Sequence, residues 1–303
     1  MKRRVIRLHP MLVFSAVNGL AWFYFGLVDR AWPPLHSVVL VVALQCLLIP
    51  CPHRLDIRGL RQMFPLNGSI WSLFWEYVGS ALYGLVFRKL SHTVLKLSVG
   101  ISLLITVLYG LNINTPITLH DPTIPADEFD SGYRNDYYQQ LGACIRLLFP
   151  FLLGILLSRN RTFIRIKHGQ IICPLAMLVL LSVPAIRNVS GVLNSVYETV
   201  CVTLLFPILL VVGAGSSVDE GYQPVLRFVG DVSYPLYTIH RTVAYAVFGW
   251  KHNSKNIPPS GHFCAVFSML TLSFGIAYSA LKLYDEPIRR FLKEKLRGKD
   301  TFN

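Results

Sequence analysis

Residues 140–157 read QLGACIRLLFPFLLGILL and carry one charged side chain, Arg146. A run this long and this apolar is typical of a helix that crosses a membrane, which needs about 20 residues to span the hydrocarbon core. Strands of a membrane barrel would instead alternate polar and apolar residues over segments of about 10 residues. The stretch therefore predicts a membrane-crossing α-helix.

Similar apolar blocks recur along the chain and are separated by short polar or basic segments. The predicted spans are 11–28, 35–51, 70–87, 94–111, 140–157, 171–187, 195–214, 232–249 and 262–283. The 303 residues are 53% hydrophobic and only 15% charged, whereas soluble domains carry about 25% charge. The predicted fold class is all-α, a polytopic transmembrane helix bundle of about nine spans that forms a single domain over residues 1–303. A disordered chain, a small disulfide scaffold and an ordinary soluble enzyme are excluded.

The chain is strongly basic, with 29 Lys and Arg against 16 Asp and Glu and a net charge of +13. The basic residues lie in short loops, which favours contact with anionic membrane lipid and predicts no nucleic-acid partner. By the positive-inside rule, the basic loops at 88–89 and 158–170 and the basic C-terminal tail are cytoplasmic, and the acidic loop 112–140 is external. Three predicted spans separate the basic residues 2–7 from the loop at 88–89, so residues 2–7 would lie outside, against the rule. A re-entrant or interfacial helix at 70–87 would place them on the cytoplasmic side.

Several familiar site types have no support in the sequence. The six cysteines form no CxxC pair and lie in or beside apolar blocks, so we expect buried thiols, no disulfide and no metal site. A P-loop, a dinucleotide fingerprint, an HExxH motif and a GxSxG motif are all absent from the sequence. NTPase and zinc-protease functions are therefore disfavoured.

An ionisable residue inside a predicted span is costly and marks a candidate functional site. Glu76 lies inside the 70–87 segment, and Ser72 lies four residues earlier on the same helix face, next to Trp71. Two interpretations stay open for Glu76. It either pairs with a basic loop residue at the membrane interface, or it positions a substrate hydroxyl or the catalytic base.

The stretch GDVSYPLYTIH at 230–240 opens another predicted span with turn residues. Pro235 is expected in the first helical turn, where its missing N–H costs nothing. His240 then falls well inside an apolar run. It is either hydrogen-bonded within a helix bundle or part of the lining of an active-site cavity.

Two further stretches, at the ends of the chain, combine charges with apolar residues. KRRVIRLHP at 2–10 either lies in lipid headgroups or binds phosphates, because Arg forks bind phosphate oxygens in pairs. A nucleotide-bearing donor such as an acyl-CoA requires such a cluster. YDEPIRR at 284–290, where the last span ends, predicts a membrane-interface anchor with local acid–base pairing.

Together these stretches resemble the acyltransferase-3 family of integral membrane acyltransferases, which includes bacterial sugar O-acetylases. The resemblance covers essentially the whole chain and rests on four pieces in the family's order. The first piece is KRRVIRLHP from Lys2, which is similar to the Arg-rich segment before the family's third helix, and the second is FPLNGSIWSLFWEYVGSALYGLV from Phe64, which is similar to its Trp-Ser-Leu…Glu helix. The third piece is GDVSYPLYTIH from Gly230, which is similar to the family's Ser-Tyr-Pro…Tyr…His motif. The fourth is YDEPIRRFL from Tyr284, which is similar to its closing Glu-Pro-x-Arg signature.

The resemblance implies an O-acyltransferase in the bacterial cytoplasmic (inner) membrane, crossing it several times. The enzyme would move an acyl group, most simply acetyl, from acyl-CoA to a hydroxyl of a cell-surface glycan or lipid-linked sugar. Acyl-CoA is then a co-substrate, and no bound cofactor is expected. The implied partners are membrane lipid, acyl-CoA and a carbohydrate acceptor.

The resemblance also implies roles for particular residues. Glu76 and His240 are the expected catalytic pair. The expected acyl-donor site is Arg3, Arg4 and Arg7, which would bind the donor diphosphate. The expected acceptor cavity is lined by Trp71, Ser72, Ser233, Tyr234 and Tyr237.

The sequence departs from the family pattern in one respect. The first family helix carries an Arg followed by a His that is regarded as catalytic, whereas this sequence starts at the segment that resembles the third helix. We therefore expect a family member without its first two helices and with little or no transferase activity. The alternative is a non-catalytic membrane protein that assists glycan export or assembly.

Overall fold

The computed structural model describes residues 2–25, 33–120, 132–184, 191–218, 220–253 and 258–300. Within these residues every regular element is a helix, which confirms the all-α prediction. The α-helices are α1 (Lys2–Phe25), α2 (Leu35–Cys46), α3 (Ile70–Leu85), α4 (His92–Gly110), α5 (Tyr137–Asn160), α6 (Gly169–Ser182), α7 (Gly191–Val200), α8 (Phe206–Gly215), α9 (Gln223–Asn253), α10 (Pro259–Ala280) and α11 (Glu286–Asp300). The π-helical segment Cys201–Leu205 joins α7 to α8, and a second one, Leu281–Asp285, joins α10 to α11.

Five helical stretches in the described part of the chain are long and apolar enough to cross a membrane. They are Arg4–Tyr24, His92–Gly110, Tyr137–Asn160, Leu193–Gly215 and Ser260–Lys295. Helices α2, α3 and α6 have 12, 16 and 14 residues, fewer than the roughly 20 needed for a perpendicular crossing. The membrane-bundle class is confirmed, while the count of nine spans stays a prediction.

The chain forms two compact units, one from residues 1–74 and 224–303 and the other from residues 75–223. Helix α3 starts in the first unit and continues into the second. The single domain predicted over residues 1–303 stays a prediction. Most of the acidic loop predicted at 112–140 can be described, but residues 121–131 lie outside the described residues.

In the first unit, α1, α9 and α10 share a core. Met11, Ile239, Val243, Ala277 and Ala280 are all almost completely buried and contact one another. Ala277 and Ala280 on α10 are small residues of the kind that is enriched where helices pack in membranes. A second cluster joins Phe23 on α1 to Val41 on α2 and to Cys51 and Leu66 in the following loop.

In the second unit, α4 packs against α5. Leu95 and Val99 on α4 contact Phe149 and Leu152 on α5. The Asp136 side chain caps α5 by accepting a hydrogen bond from the Gln139 N–H at 3.0 Å. Such a cap satisfies one of the unpaired N–H groups at the start of a helix.

The expected helix start near Gly230 is wrong. α9 begins at Gln223 and continues without a break through Gly230 and Pro235. Pro235 removes one N–H donor, a loss that helices of membrane proteins tolerate because neighbouring groups supply other partners. His240 therefore lies in the middle of a 31-residue helix.

Two smaller expectations have mixed outcomes. The acid–base pairing predicted at 284–290 is confirmed, since Arg289 lies 2.7 Å from the completely buried Asp285 and Lys282 lies 2.5 Å from Glu286. The prediction that the cysteines are buried is wrong for Cys264, which is exposed on α10. α10 has a broad exposed apolar face, and an apolar side chain facing lipid has no need of a protein contact.

Candidate active site

A loop without regular structure lies buried in the first unit between α2 and α3. Residues 62–70 are all buried, and residues 62–69 precede the helix. α1 approaches this loop so closely at Gly19 that a Cβ atom there would lie 2.6 Å from the Leu66 carbonyl oxygen. Irregular backbone inside a membrane protein needs hydrogen-bond partners from the protein, because lipid supplies none. We call residues 62–69 the buried loop.

Asn67 fixes the buried loop to α9. Its side-chain Nδ2 donates to the Thr238 carbonyl at 2.6 Å, and its Oδ1 accepts from the Ser69 N–H at 3.2 Å. The Asn67 side chain is completely buried. The first bond holds the residues just before α3 against the middle of α9, and the second fixes the turn within the loop.

Tyr245, about two helical turns beyond Thr238 on α9, also fixes the buried loop. Its hydroxyl donates to Gln62 Oε1 at 2.8 Å and accepts from the Gly68 N–H at 3.2 Å. Gly68 has no room for a side chain, since a Cβ there would lie 2.5 Å from the Tyr245 hydroxyl. A side chain at this position would therefore displace the Tyr245 hydroxyl or the Gln62 amide.

Arg58 carries a buried positive charge beside this loop. Its guanidinium carbon lies 4.2 Å from the ring centre of Tyr245 and 4.9 Å from that of Phe23, and its Nε donates to the Pro65 carbonyl at 2.5 Å. Burial lowers the pKa of Arg58 to about 10, with the charges of Tyr245 and Asp56 acting in the opposite direction. Arg58 therefore stays cationic at neutral pH, and its aromatic neighbours stabilise that charge.

The hydroxyl groups of Ser72 and Tyr237 form a short chain. Tyr237 donates to the Ser69 carbonyl at 2.5 Å, and Ser72 Oγ is hydrogen-bonded to the Tyr237 hydroxyl. Ser72 Oγ also lies 3.4 Å from the Ser69 carbonyl oxygen, so either hydroxyl can be the donor in the bond between Ser72 and Tyr237. The Ser72 oxygen keeps its lone pairs and can accept a hydrogen bond from another hydroxyl.

His240 lies next to Tyr237, and one of its two ring nitrogens is hydrogen-bonded. Its Nδ1 lies 3.2 Å from the Leu236 carbonyl, and its ring centre lies 5.9 Å from that of Tyr237. A carbonyl oxygen can only accept, so Nδ1 carries a proton and the proton-accepting lone pair is on Nε2. We call Ser72, Tyr237 and His240 the polar cluster.

Two hydrogen bonds align α1 with α9. The Tyr234 hydroxyl donates to the Leu8 carbonyl and Asn18 Nδ2 donates to Thr242 Oγ1, both at 2.6 Å. Residue numbers rise together along both helices, so the two run parallel. At 1.5 Å per residue, His240 lies about 9 Å further along the axis than Tyr234.

The structure brings together some of the predicted site residues. Ser72, Tyr237 and His240 form the polar cluster, and the half-buried Trp71 precedes Ser72. Tyr234 instead uses its hydroxyl to hold α9 to α1. Ser233 is exposed and donates to the carbonyl of Gly230 within its own helix at 2.8 Å.

The remaining predicted residues lie outside the polar cluster. Arg4 and Arg7 are exposed in the first two turns of α1. Arg3 lies on the same helix, and its side chain lies outside the described residues. Glu76 is exposed on α3, in the part of the helix that belongs to the second unit. In the described residues no group of three His, Cys, Asp or Glu side chains is placed to hold a metal ion.

Sequence reasoning missed Arg58, Asn67 and Tyr245. Asn67 falls in an Asn-Gly-Ser triplet that resembles a glycosylation site, which occurs often by chance. A better signal was present nearby, because residues 62–69, the second half of the connection between the apolar blocks 35–51 and 70–87, contain no charged residue. An uncharged connection of this kind is typical of a loop that is buried inside the protein.

These features define a multi-pass helical membrane protein with a polar cluster inside one of its two units. The acyltransferase domain family matches residues 1–278. The chain therefore belongs to the acyltransferase-3 family, and the resemblance found in its motifs is confirmed. Membership supports acyltransferase activity in a membrane. Neither a curated protein nor a solved structure matches the chain significantly.

Proposed function

We propose that, against the sequence-based expectation of little or no activity, this protein transfers an acyl group from acyl-CoA to a hydroxyl of a glycan or lipid-linked sugar in the bacterial cytoplasmic membrane, with His240 in place of the histidine of the family's first helix. Family membership supports the reaction class. The observation that carries the proposal is the polar cluster, in which the Ser72 and Tyr237 hydroxyls are hydrogen-bonded to each other and the Tyr237 ring centre lies 5.9 Å from that of His240, whose Nε2 can accept a proton.

In this proposal His240 is the general base. Its Nε2 takes the proton of the acceptor hydroxyl, and the oxygen attacks the carbonyl carbon of the thioester to give a tetrahedral intermediate. The C–S bond then breaks. The leaving thiolate takes the proton back from His240, so that the products are the O-acyl ester and free CoA.

Ser72 and Tyr237 position the acceptor. Ser72 Oγ accepts a hydrogen bond from a substrate hydroxyl, and Tyr237 holds Ser72 in place through its own bond to the Ser69 carbonyl. Part of the Trp71 indole is exposed next to Ser72 and offers a flat surface to the substrate. Orientation of this kind raises the rate by holding the reacting oxygen near the carbonyl carbon.

Arg4 and Arg7, with Arg3 on the same turns of α1, bind the donor diphosphate. Guanidinium groups pair with phosphate oxygens through two parallel hydrogen bonds. Leu8, next to Arg7, contacts Tyr234, so along the helix axis Arg7 lies about 10 Å and Arg4 about 15 Å from His240. The diphosphate then lies at the end of α1 while the thioester extends inward to the polar cluster. Glu76 stays a catalytic prediction from sequence.

The test measures acyl transfer by the purified full chain in lipid nanodiscs, with radiolabelled acetyl-CoA and a panel of glycan acceptors. We expect His240→Gln to lower kcat by about 100-fold or more, the usual contribution of a general base. Arg4→Gln with Arg7→Gln should raise the KM for acetyl-CoA and leave kcat less affected. The matched control is His262→Gln, because His262 is exposed on α10. Equal losses in His240→Gln and His262→Gln, or no transfer by the unmodified chain, would overturn the proposal.

A further inference from the structure

The second unit contains a cavity of about 690 Å³. Its walls come from α5, α6, α8 and the π-helical segment Cys201–Leu205, and none of them contributes to the polar cluster. This volume lies within the roughly 300–1,000 Å³ of typical small-molecule sites. Short π-helical segments inside α-helices are frequently found at functional sites.

Arg146 is the only charged residue among those that line the cavity. The other lining residues are Leu, Val, Met, Phe, Pro, Gly and Cys. Arg146 lies inside the span Tyr137–Asn160, where a charge is costly and marks a functional site. The lining also includes Gly154, eight residues later on α5, which corresponds to about 12 Å along the helix at 1.5 Å per residue. The cavity is therefore cationic at one end and apolar over the rest of its length.

Neighbouring contacts locate the cationic end and the apolar end of the cavity. Val202 lines the cavity and packs beside Ile145, so it lies at the end that holds Arg146. The other end lies near the loop after α5, because the Ile164 N–H donates to the Val211 carbonyl of α8 at 3.1 Å. The apolar end therefore points toward the basic loop 158–170.

The apolar end has open space beside Gly154. A Cβ atom added to Gly154 would meet no other group within 4 Å. One wall, α6, also has Leu175 and Leu178 exposed on its outer surface, and such residues face hydrocarbon in a membrane. The helix that forms this wall of the cavity thus also carries an apolar outer surface suited to lipid chains.

We propose that this cavity binds the alkyl chain of an amphiphile whose anionic phosphate or carboxylate head pairs with Arg146. Charge-assisted hydrogen bonds from an arginine to such a head are strong and bidentate. A guanidinium has five N–H donors and can hold the head together with its contacts in the protein. The alkyl chain is held by van der Waals contacts with the apolar lining. This site does not depend on the proposed acyl transfer.

The test uses Cys173, which lines the cavity, as a reporter. The full chain in neutral detergent is alkylated with N-ethylmaleimide, and the rates at Cys173 and at the exposed Cys264 are followed by mass spectrometry. Palmitate, a phosphatidylglycerol, a phosphatidylcholine and hexadecanol are compared. We expect the bound amphiphile to slow alkylation of Cys173 and leave Cys264 unchanged.

The head group decides the outcome of this comparison. Protection by palmitate alone identifies a fatty acid site, and protection by phosphatidylglycerol identifies an anionic phospholipid site. Hexadecanol should protect Cys173 to the same degree only at a concentration about tenfold higher, since it lacks the charge-assisted bond to Arg146. The proposal would be overturned if charged and uncharged chains protected Cys173 equally, or if none of them protected it.

Two variants and one control locate the site. Arg146→Gln should remove the preference for anionic chains, and a preference that survives this change contradicts the proposal. Gly154→Leu should fill the apolar end and abolish protection, because the added side chain enters open space. Gly100→Leu is the matched control, since a Cβ at Gly100 on α4 also meets nothing within 4 Å but Gly100 does not line the cavity.

Discussion

The contact between α1 and the buried loop predicts that Gly19→Ala destabilises the protein. The added Cβ would lie 2.6 Å from the Leu66 carbonyl oxygen and 3.1 Å from its carbon. Ordinary contact begins at 3.4 Å, so α1 and the loop have to separate by about 0.8 Å. Both partners are backbone, and neither can rotate away.

The expected cost follows from two opposing effects. Overpacking of a tight contact costs about 1–3 kcal/mol, and the upper half of that range applies to backbone on both sides. Alanine gains about 1 kcal/mol over glycine inside a helix. The free energy of unfolding should therefore fall by about 1–2 kcal/mol. The apparent Tm should fall by roughly 1.5–3 °C for a chain of this size.

The assay is thermal unfolding of the purified chain in detergent, with Gly84→Ala on α3 as the matched control. A Cβ at Gly84 meets nothing within 4 Å, so this variant should gain up to about 1 kcal/mol from helix propensity alone. The two substitutions are chemically identical but should shift the Tm in opposite directions. A Tm for Gly19→Ala at or above that of the unmodified chain would refute the close packing of α1 on the loop.

Two further substitutions test the partners of the buried loop. Asn67→Ala leaves the buried Ser69 N–H without its acceptor and should lower the free energy of unfolding by about 2–4 kcal/mol. Asn160→Ala, at the exposed end of α5, should cost less than about 1 kcal/mol, and similar losses in thermal unfolding would argue against the loop contacts. Arg58→Lys loses a planar group stacked on two rings and should cost about 1–3 kcal/mol. The exposed Arg61→Lys is its control and should leave the Tm unchanged.

Continuous apolar runs made some helices easy to predict. The span predicted at 140–157 corresponds to α5, Tyr137–Asn160, and the span at 94–111 corresponds to α4, His92–Gly110. α1 and α9 begin earlier than predicted, because helical hydrogen bonds are internal and continue through polar residues. An apolar run therefore predicts the existence of a helix better than its first residue.

The candidate site was predicted only in part. Ser72, Tyr237 and His240 lie in two motifs of the sequence, and the structure brings these motifs together. The loop that holds them in place was not predicted, since its contacts follow no period along the chain. Asn67, for example, contacts Thr238, 171 residues later.

This long separation has a consequence for how the protein is made. Synthesis proceeds at about 5–20 residues per second, so roughly 10–30 s pass between the appearance of Asn67 and that of Thr238. During this time all of residues 75–223, the second unit, leave the ribosome. Until α9 is made, the groups of the buried loop that bond to Thr238 and Tyr245 lack these partners, which makes the loop a point of contact for insertion factors and quality-control proteases.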